Sequence, residues 1–196
     1  MATIGLDNLF YSKITEDESG NETYEPPTKL AKAISADISV ELNEASLYAD
    51  DAECESIKAF KSGKLTLGID DIGIDAAQDL TGASIDDNGV LVSTSDDLAP
   101  YVAVGFRAMR ANGKYRYFWL YRVKFSIPST SLATKGDSIA FQTPSIEGTV
   151  MRRNKIDGKG NHPWKTEVTE GNKGVSDETI TSWFSSVYEP TFAKKK

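Results

Sequence analysis

Residues 102–126 read VAVGFRAMRANGKYRYFWLYRVKFS, and this stretch decides the fold class. Two runs of alternating apolar and polar residues flank Asn112-Gly113, the residue pair preferred in two-residue type I′ turns. With that turn, Phe106 would face Trp119 and Val104 would face Tyr121 across a β-hairpin. One face would then be a core wall of cross-strand aromatic pairs, made of Val102, Val104, Phe106, Ala108, Tyr115, Tyr117, Trp119, Tyr121, Val123 and Phe125.

The opposite face of this predicted hairpin mixes apolar and basic side chains. Phe118 and Leu120 would lie there beside Arg107, Lys114, Arg116, Arg122 and Lys124. Exposed apolar area among cations is typical of a contact surface. Alternatively, Arg and Lys stems simply cover a hydrophobic edge. On the first reading, the candidate basic contact face consists of Arg107, Arg116, Arg122 and Lys124.

A second stretch, residues 34–42, alternates with a strict period of two, which predicts a half-buried strand. Its core face would hold Ile34, Ala36, Ile38, Val40 and Leu42, and its polar face Ser35, Asp37, Ser39 and Glu41. Residues 65–69 predict a neighbouring strand, from which Thr66 and Asp70 would extend the polar face. Further strands are predicted near residues 4–11, 138–141 and 146–151, with polar loops at 16–27 and at about 43–60.

Two short helices complete the prediction. One would cover Asp75 to Leu80 with Asp75 as its cap, and the other would run from Ser176, as cap, through Val187. The predicted fold is mainly β (α+β), a β-sandwich or barrel subunit with one or two short helices. We expect a single domain over 1–196, with a long acidic loop at about 43–60 and a C-terminal arm at about 176–196.

The charge of the chain is divided unevenly along its length. Residues 1–100 hold 6 Lys and Arg against 21 Asp and Glu, a net −15, whereas residues 101–165 hold 12 against 3, a net +9. A total of −7 argues against general nucleic-acid binding, which needs cations on phosphates. Either the two regions are separate solvated surfaces, or copies of the chain pair acidic face to basic face.

The residue types required for catalysis or metal binding are scarce. His162 is the only histidine and Cys54 the only cysteine, so neither a Ser-His-Asp triad with a G-x-S-x-G elbow nor a three-ligand zinc site is indicated. The acidic frame 84–95 lacks the bidentate Glu of an EF-hand. We therefore expect no enzyme activity, no cofactor and no metal, although a hydrolase with a carboxylate pair stays an alternative. The N-terminal residues do not resemble a signal peptide, which favours a cytosolic protein.

Several stretches resemble a known family. They are residues 4–15 (IGLDNLFYSKIT), 30–37 (LAKAISAD), 47–51 (LYADD), 64–68 (KLTLG) and the hairpin ending in 122–125 (RVKF). In these stretches the chain is similar to major tail proteins of long, non-contractile-tailed bacteriophages and prophages of Gram-positive bacteria. The resemblance covers most of the chain, and the first fifty residues are its most specific part.

The resemblance implies a β-sandwich or barrel subunit that forms hexameric rings, which stack into the tail tube. It also implies a tape-measure protein and tail terminator or baseplate proteins as partners. Double-stranded DNA would pass through the tube without specific binding, and no membrane would be contacted. The protein would lie in the virion, and in the host cytoplasm before release. The alternative function is a monomeric β-sandwich binding module, either carbohydrate-binding or a baseplate accessory domain.

Two groups of residues receive roles from this interpretation. A lumen that lets DNA slide should present acidic or small polar groups rather than cations, so the candidate lumen face is Ser35, Asp37, Ser39, Glu41, Thr66 and Asp70. The acidic loop is long enough to reach a neighbouring ring. Its candidate contact residues are Leu47, Tyr48, Asp50, Asp51, Glu53 and Glu55.

Overall fold

The computed structural model describes residues 2–18, 20–49, 52–128, 134 and 143–192, without the side chains of residues 47–49 and 52–55. Its helices are α1 (Ile74–Thr81) and α2 (Asp177–Thr181). Its strands are β1 (Thr3–Glu16), β2 (Glu22–Tyr24), β3 (Thr28–Ala31), β4 (Ala33–Ala49), β5 (Ala52–Ile69), β6 (Ser84–Ile85), β7 (Leu91–Val92), β8 (Tyr101–Arg110), β9 (Tyr115–Phe125), β10 (Ser145–Met151) and β11 (Lys165–Thr169).

Nine of these strands form one antiparallel sheet. Its order is β2-β1-β8-β9-β10-β5-β4, with β3 also paired to β1 and β11 also paired to β9. The short strands β6 and β7 pair only with each other among the described residues. A single cluster of buried side chains draws on strands at both ends of this order, including Leu9 of β1 and Leu67 of β5. The sheet must therefore curl around that cluster, which confirms the predicted mainly β, barrel-like class.

The central hairpin of β8 and β9 has a different turn from the one predicted. Arg110 and Lys114 bracket a three-residue connection, in which the Gly113 amide donates to the Arg110 carbonyl at 2.9 Å. Gly113 has φ of 78°, whereas Asn112 has no positive φ, so the type I′ geometry is not adopted. Phe106 consequently faces Phe118, and Val104 faces Leu120. The predicted pairs with Trp119 and Tyr121 are wrong by one residue.

This one-residue difference distributes the predicted core wall over both faces of the sheet. One face contributes Val104, Phe106 and Leu120 to the first cluster, which the buried side chains of Ala76 and Leu80 from α1 also join. The other face contributes Tyr117, Trp119 and Tyr121 to a second cluster, covered by Trp183 and Val187. Leu120 is thus a core residue and Phe118 is partly buried against the same cluster, so neither lies on an exposed contact surface.

Both helices are found near their predicted positions, and α1 also ends within one residue of its predicted end, whereas α2 is shorter than predicted. The N-cap of α1 is Gly73, and Asp75 lies in its first turn instead of capping it. Ser176 caps α2 as predicted, with its side chain accepting a hydrogen bond from the Thr179 amide. However, α2 ends at Thr181, and the chain continues without regular structure through Val187, where it packs on the second cluster.

Two predicted loops contain strands. The polar region 16–27 includes β2, which pairs with the end of β1. The described residues of the acidic region 43–60 belong to β4 and β5, whose antiparallel pairing continues from Ala33↔Ile69 to Ala49↔Ala52. Cross-strand pairing therefore overrides the loop-like composition of this segment. The strand predicted at 146–151 is confirmed as β10, whereas the one predicted at 138–141 lies outside the described residues.

Candidate functional site

The distal part of the β4–β5 hairpin extends beyond the rest of the sheet. Strand β10 pairs with β5 only between Gly63 and Gly68. The part of β4 after Val40 and the part of β5 before Phe60 therefore pair only with each other among the described residues. We call residues 40–49 and 52–60 the arm. Strand β4 ends the order of the sheet, so among the described residues the arm also has a backbone edge without a partner strand.

The arm combines exposed apolar side chains with ion pairs that are satisfied locally. Val40, Leu42 and Ile57 are 43%, 53% and 65% exposed. Lys58 pairs with Glu44 at 2.9 Å, and Lys61, just past the arm, pairs with Glu41 at 3.5 Å. The predicted core face of residues 34–42 is accordingly wrong at Ile34, Val40 and Leu42, which are exposed. These side chains are available for a contact with another molecule.

The arm is fixed to the body of the protein at its base. The ring of Phe60 stacks on the ring of Trp164 with centroids 4.5 Å apart and planes 6° from parallel. Trp164 also packs against the first cluster. Aromatic stacking of this kind contributes about 1 kcal/mol beyond area burial, so the base is held while the tip projects.

The candidate inter-ring residues lie near the tip of the arm. Leu47 is opposite Glu55, and Tyr48 is opposite Glu53. The structure thus places these four in strands rather than in a loop. Asp50 and Asp51 lie outside the described residues.

Most of the candidate lumen residues share one face of the β4–β5 ladder. Asp37 is opposite Thr66, and Ser35, Ser39 and Glu41 lie on the same side by alternation. Asp70 follows the end of β5 and lies outside this face, where it accepts hydrogen bonds from the Lys32 and Asp71 amides at 2.8 and 2.9 Å. The Lys32 amide is the main cause that lowers the pKa of the Asp70 carboxyl.

The same face also contains a cation, Lys64, which is not among the predicted lumen residues. Lys64 is opposite Ser39 and forms a 2.8 Å ion pair with Glu147 of β10. Lys64 precedes Thr66 by two residues, so the same alternation predicts that both side chains lie on this face. Paired in this way, Lys64 adds no net charge to the face.

The four candidate basic contact residues do not form one free surface. Arg107 and Arg116 point to opposite faces of the sheet, because Arg107 is opposite Tyr117 and Arg116 is opposite Ala108. Both Asp7 oxygens accept from Arg107, at 2.6 and 3.0 Å, and this hydrogen bonding is the main cause that raises the Arg107 pKa. Arg116 is paired with Glu167.

The remaining two members of that set are also engaged. Arg122 is 8% exposed and is paired with Glu22 and, at 2.6 Å, with Glu16. Lys124 lies over the ring of Tyr101 at 5.4 Å from its centroid. The carboxylate partners of these arginines are up to 106 residues away in sequence. Residue spacing along the chain therefore does not predict these ion pairs.

The comparisons with known proteins include a similar solved structure. No protein-family model matches the chain, and no curated protein matches it. Among solved structures, it is similar to the cap that terminates the tube of an anti-feeding prophage, with a TM-score of 0.42 and 11% sequence identity. The alignment covers 86% of this chain and 93% of that chain. At this TM-score the similarity does not establish a shared function.

Among the described residues, the side chains that could support catalysis or bind a metal do not lie together. His162 is exposed, and its Nδ1 lies 3.1 Å from the Arg153 carbonyl oxygen. The side chain of Cys54 is outside the description. Across the part of the chain that the structure describes, no three His, Cys, Asp or Glu side chains gather as metal ligands would. None of its helices has the length and apolar character to cross a membrane. The arm is the feature with the clearest functional geometry.

Proposed function

We propose that this chain is a structural subunit of a phage tail tube, in which copies form hexameric rings that stack into a conduit for double-stranded DNA. The subunit would be made in the host cytoplasm and would end in the virion. There the tube would surround a tape-measure protein and join terminator and baseplate proteins. The sequence resemblance supports the choice of family, and the exposed arm supports assembly from copies of the chain.

The arm is the main support for this proposal, because a two-stranded ribbon with exposed apolar side chains is expected to be stabilised by a partner. An isolated two-stranded ribbon is marginally stable in water, and stability normally requires a third strand or a packed face. The arm has neither among the described residues, yet it exposes Val40, Leu42 and Ile57. A neighbouring copy that covers these side chains would supply the missing packing.

The chemistry of the arm favours apolar and backbone contacts over a purely ionic contact. Its cation Lys58 and the neighbouring Lys61 are already paired with Glu44 and Glu41. Among the described residues of the arm, apolar side chains and the edge of β4 remain without a partner, and such an edge can accept another strand. Contacts of this kind between different patches of identical subunits close into rings or continue as filaments.

The proposal is tested by the size and shape of the assembled protein. Light scattering and negative-stain imaging of the full chain should show rings or tubes. Leu42→Ser with Ile57→Ser should abolish them, because it removes apolar contact area from the arm. The matched control is Ile127→Ser with Ile156→Ser, which changes two residues that are 79% and 59% exposed but lie off the arm.

A chain that stays monomeric at high concentration would contradict the proposal. That result would favour the monomeric β-sandwich binding module. Loss of assembly in both the arm variant and the control variant would mean that the arm has no special role.

A further inference from the structure

The connection between β5 and β8 has a one-sided charge. From residue 65 to residue 106 the sequence contains eight Asp and no Lys, Arg or His. Asp79 pairs with Lys13 at 3.2 Å, and Asp70 pairs with Lys32 at 4.0 Å. The other carboxylates have no ion-pair partner among the described residues: Asp71, Asp75, Asp86, Asp87, Asp96 and Asp97.

This connection also exposes apolar side chains. Ile74 is 51% exposed and Leu98 is 80% exposed, and Val90 and Val92 are 55% and 41% exposed. A plain solvated surface needs no such residues, whereas apolar groups rimmed by charge are typical of a protein–protein contact. We call residues 70–100 the acidic end, because they leave the sheet after Ile69 and return to it at Tyr101.

The opposite end of β8 carries unpaired cations. Strand β8 has ten residues and so separates its two ends by about 30 Å. At its far end lie Arg110 and Lys114, which flank the turn, and Lys173, which lies close in sequence to Gly171 beside the Lys114 side chain. None of the three has an ion-pair partner among the described residues.

The same end has an exposed apolar residue, and the carboxylate of Glu170 nearby is already hydrogen-bonded. Ile4 is 66% exposed and lies on β1 between the residues paired with Arg110 and Met109. Glu170 accepts a hydrogen bond from the Tyr115 amide at 3.0 Å, so its carboxylate is occupied locally. We call Ile4, Arg110, Lys114 and Lys173 the basic end. It thus repeats the composition of the acidic end with the charge reversed.

We propose that the acidic end of one copy docks on the basic end of the next copy, so that copies add head to tail along the direction of β8. The occupant is a second copy because the chain itself carries the complementary charge and apolar residue at the far end. A contact between two different patches of one chain does not close on itself when the copies only translate, so it generates a stack. This inference rests on the proposed tail-tube function and identifies the surfaces that meet between rings.

The test changes the charge of each end separately. Asp87→Lys with Asp96→Lys halves the negative charge of the eight Asp in the acidic end without removing a turn-capping carboxylate such as Asp86. Arg110→Glu with Lys114→Glu reverses the charge of the basic end. Each double variant should lose stacking, measured as the length of tubes by imaging, by at least tenfold at low salt.

The matched control is Lys29→Glu with Arg152→Glu. Both residues are exposed cations without an ion-pair partner among the described residues. Lys29 is opposite Phe10, which in turn is opposite Gly105 in the middle of β8. This control changes the net charge as much as the basic-end variant does and should leave stacking intact.

A mixture of the two double variants separates this inference from the proposed function. The native acidic end survives in one variant and the native basic end in the other, so the mixture should associate in sedimentation velocity although neither variant does alone. That readout needs pairs of subunits only and holds even where no ring forms. Stacking by both double variants, or failure of the mixture to associate, overturns the inference.

Discussion

Glu22 is a carboxylate with 0% exposure, and it holds three parts of the chain together. It pairs with Arg122 and accepts hydrogen bonds from the Asn154 and Lys155 amides at 2.9 and 3.3 Å. A buried charge pair adds little over an apolar replacement, but removal of one partner leaves the other unpaired in a low dielectric. The network therefore specifies where β2, β9 and residues 154–155 meet.

We expect Glu22→Gln to lower the free energy of unfolding by about 3 kcal/mol, because it leaves Arg122 with only Glu16 as a charged partner. The amide keeps the size of the side chain and one acceptor oxygen, so the fold should persist. Denaturant titration would measure the change. Glu25→Gln, in the same segment but with an exposed side chain, should cost less than about 1 kcal/mol. Equal losses in the two variants would show that Glu22 is not the anchor.

A second residue-scale prediction concerns Gly105. A Cβ at this position would lie 2.7 Å from the ring of Trp119, which faces it across the hairpin. Trp119 has no solvent exposure, and its indole N–H donates to the Trp183 carbonyl at 3.0 Å. Gly105→Ala should therefore displace the ring and lower the melting temperature, at a cost of about 1–3 kcal/mol.

The control for Gly105 lies on the neighbouring strand. A Cβ at Gly5 would meet only the Cβ of Met109 at 3.5 Å, which is ordinary contact. Gly5→Ala should consequently change the melting temperature little. If Gly105→Ala unfolds at the same temperature as Gly5→Ala, the close packing of Trp119 on the glycine does not matter for stability.

At the scale of elements, the arm can be shortened without disturbing the body of the protein. Deletion of Ala45–Glu55 brings Glu44 next to Ser56, and Ser56 and Ile57 then connect Glu44 to its partner Lys58. Changing these two residues to Asn and Gly would give the connection the preferred type I′ sequence.

This shortened chain should fold and melt like the full chain, because the described body keeps every residue of both clusters. It should form no long tubes, since the proposed contact with another copy is gone. Circular dichroism would check the fold, and negative-stain imaging would check the assembly. Long tubes from the shortened chain would show that tube assembly does not require the arm.

The elements differ in how far the sequence could predict them. Strand β10 was predictable because its residues alternate cleanly between buried and exposed. The arm was not, because acidic residues favour loops, and only cross-strand partners such as Lys58 for Glu44 make a strand of them. The sequence predicted which residues form the hairpin turn, but it did not predict that Asn112 lacks the positive φ of a type I′ turn. The resulting shift of one residue in the strand register moves each side chain to the other face of the sheet.

The candidate site was predictable to a similar degree. Alternation alone grouped Ser35, Asp37 and Thr66 on one face, as the register shows. The basic face failed for a different reason. Each of its arginines is bound to a carboxylate distant in sequence, and Arg107 with Asp7 is one example. Sequence spacing within a hairpin contains no information about such partners.

At the scale of the whole molecule, the remaining prediction concerns the DNA path. We propose that Asp37 and Glu41 line the lumen, where carboxylates would keep phosphates from binding. Asp37→Lys with Glu41→Lys should leave rings and tubes intact, because neither side chain belongs to the apolar contact that we propose for the arm. Phage that carry the pair should attach normally but release DNA more slowly, since each new cation adds a phosphate contact.

Ejection kinetics after receptor addition would measure this effect. The control is Glu18→Lys with Glu25→Lys, which makes the same charge change at exposed positions outside that face. Normal ejection from the Asp37 and Glu41 particles, or a tube structure with both side chains on the outside, would contradict the lumen assignment.

The cover over the second cluster also fixes the order of events during synthesis. Trp183 and Tyr188 supply the carbonyl acceptors for Trp119 and Tyr121, and Glu189 pairs with the buried Arg153 at 2.9 Å. A ribosome that has finished β9 therefore leaves an aromatic sheet face bare until 64 more residues, from 126 to 189, have followed. During that interval the nascent chain needs shielding from other nascent chains, and polymerisation must wait for translation to pass residue 189.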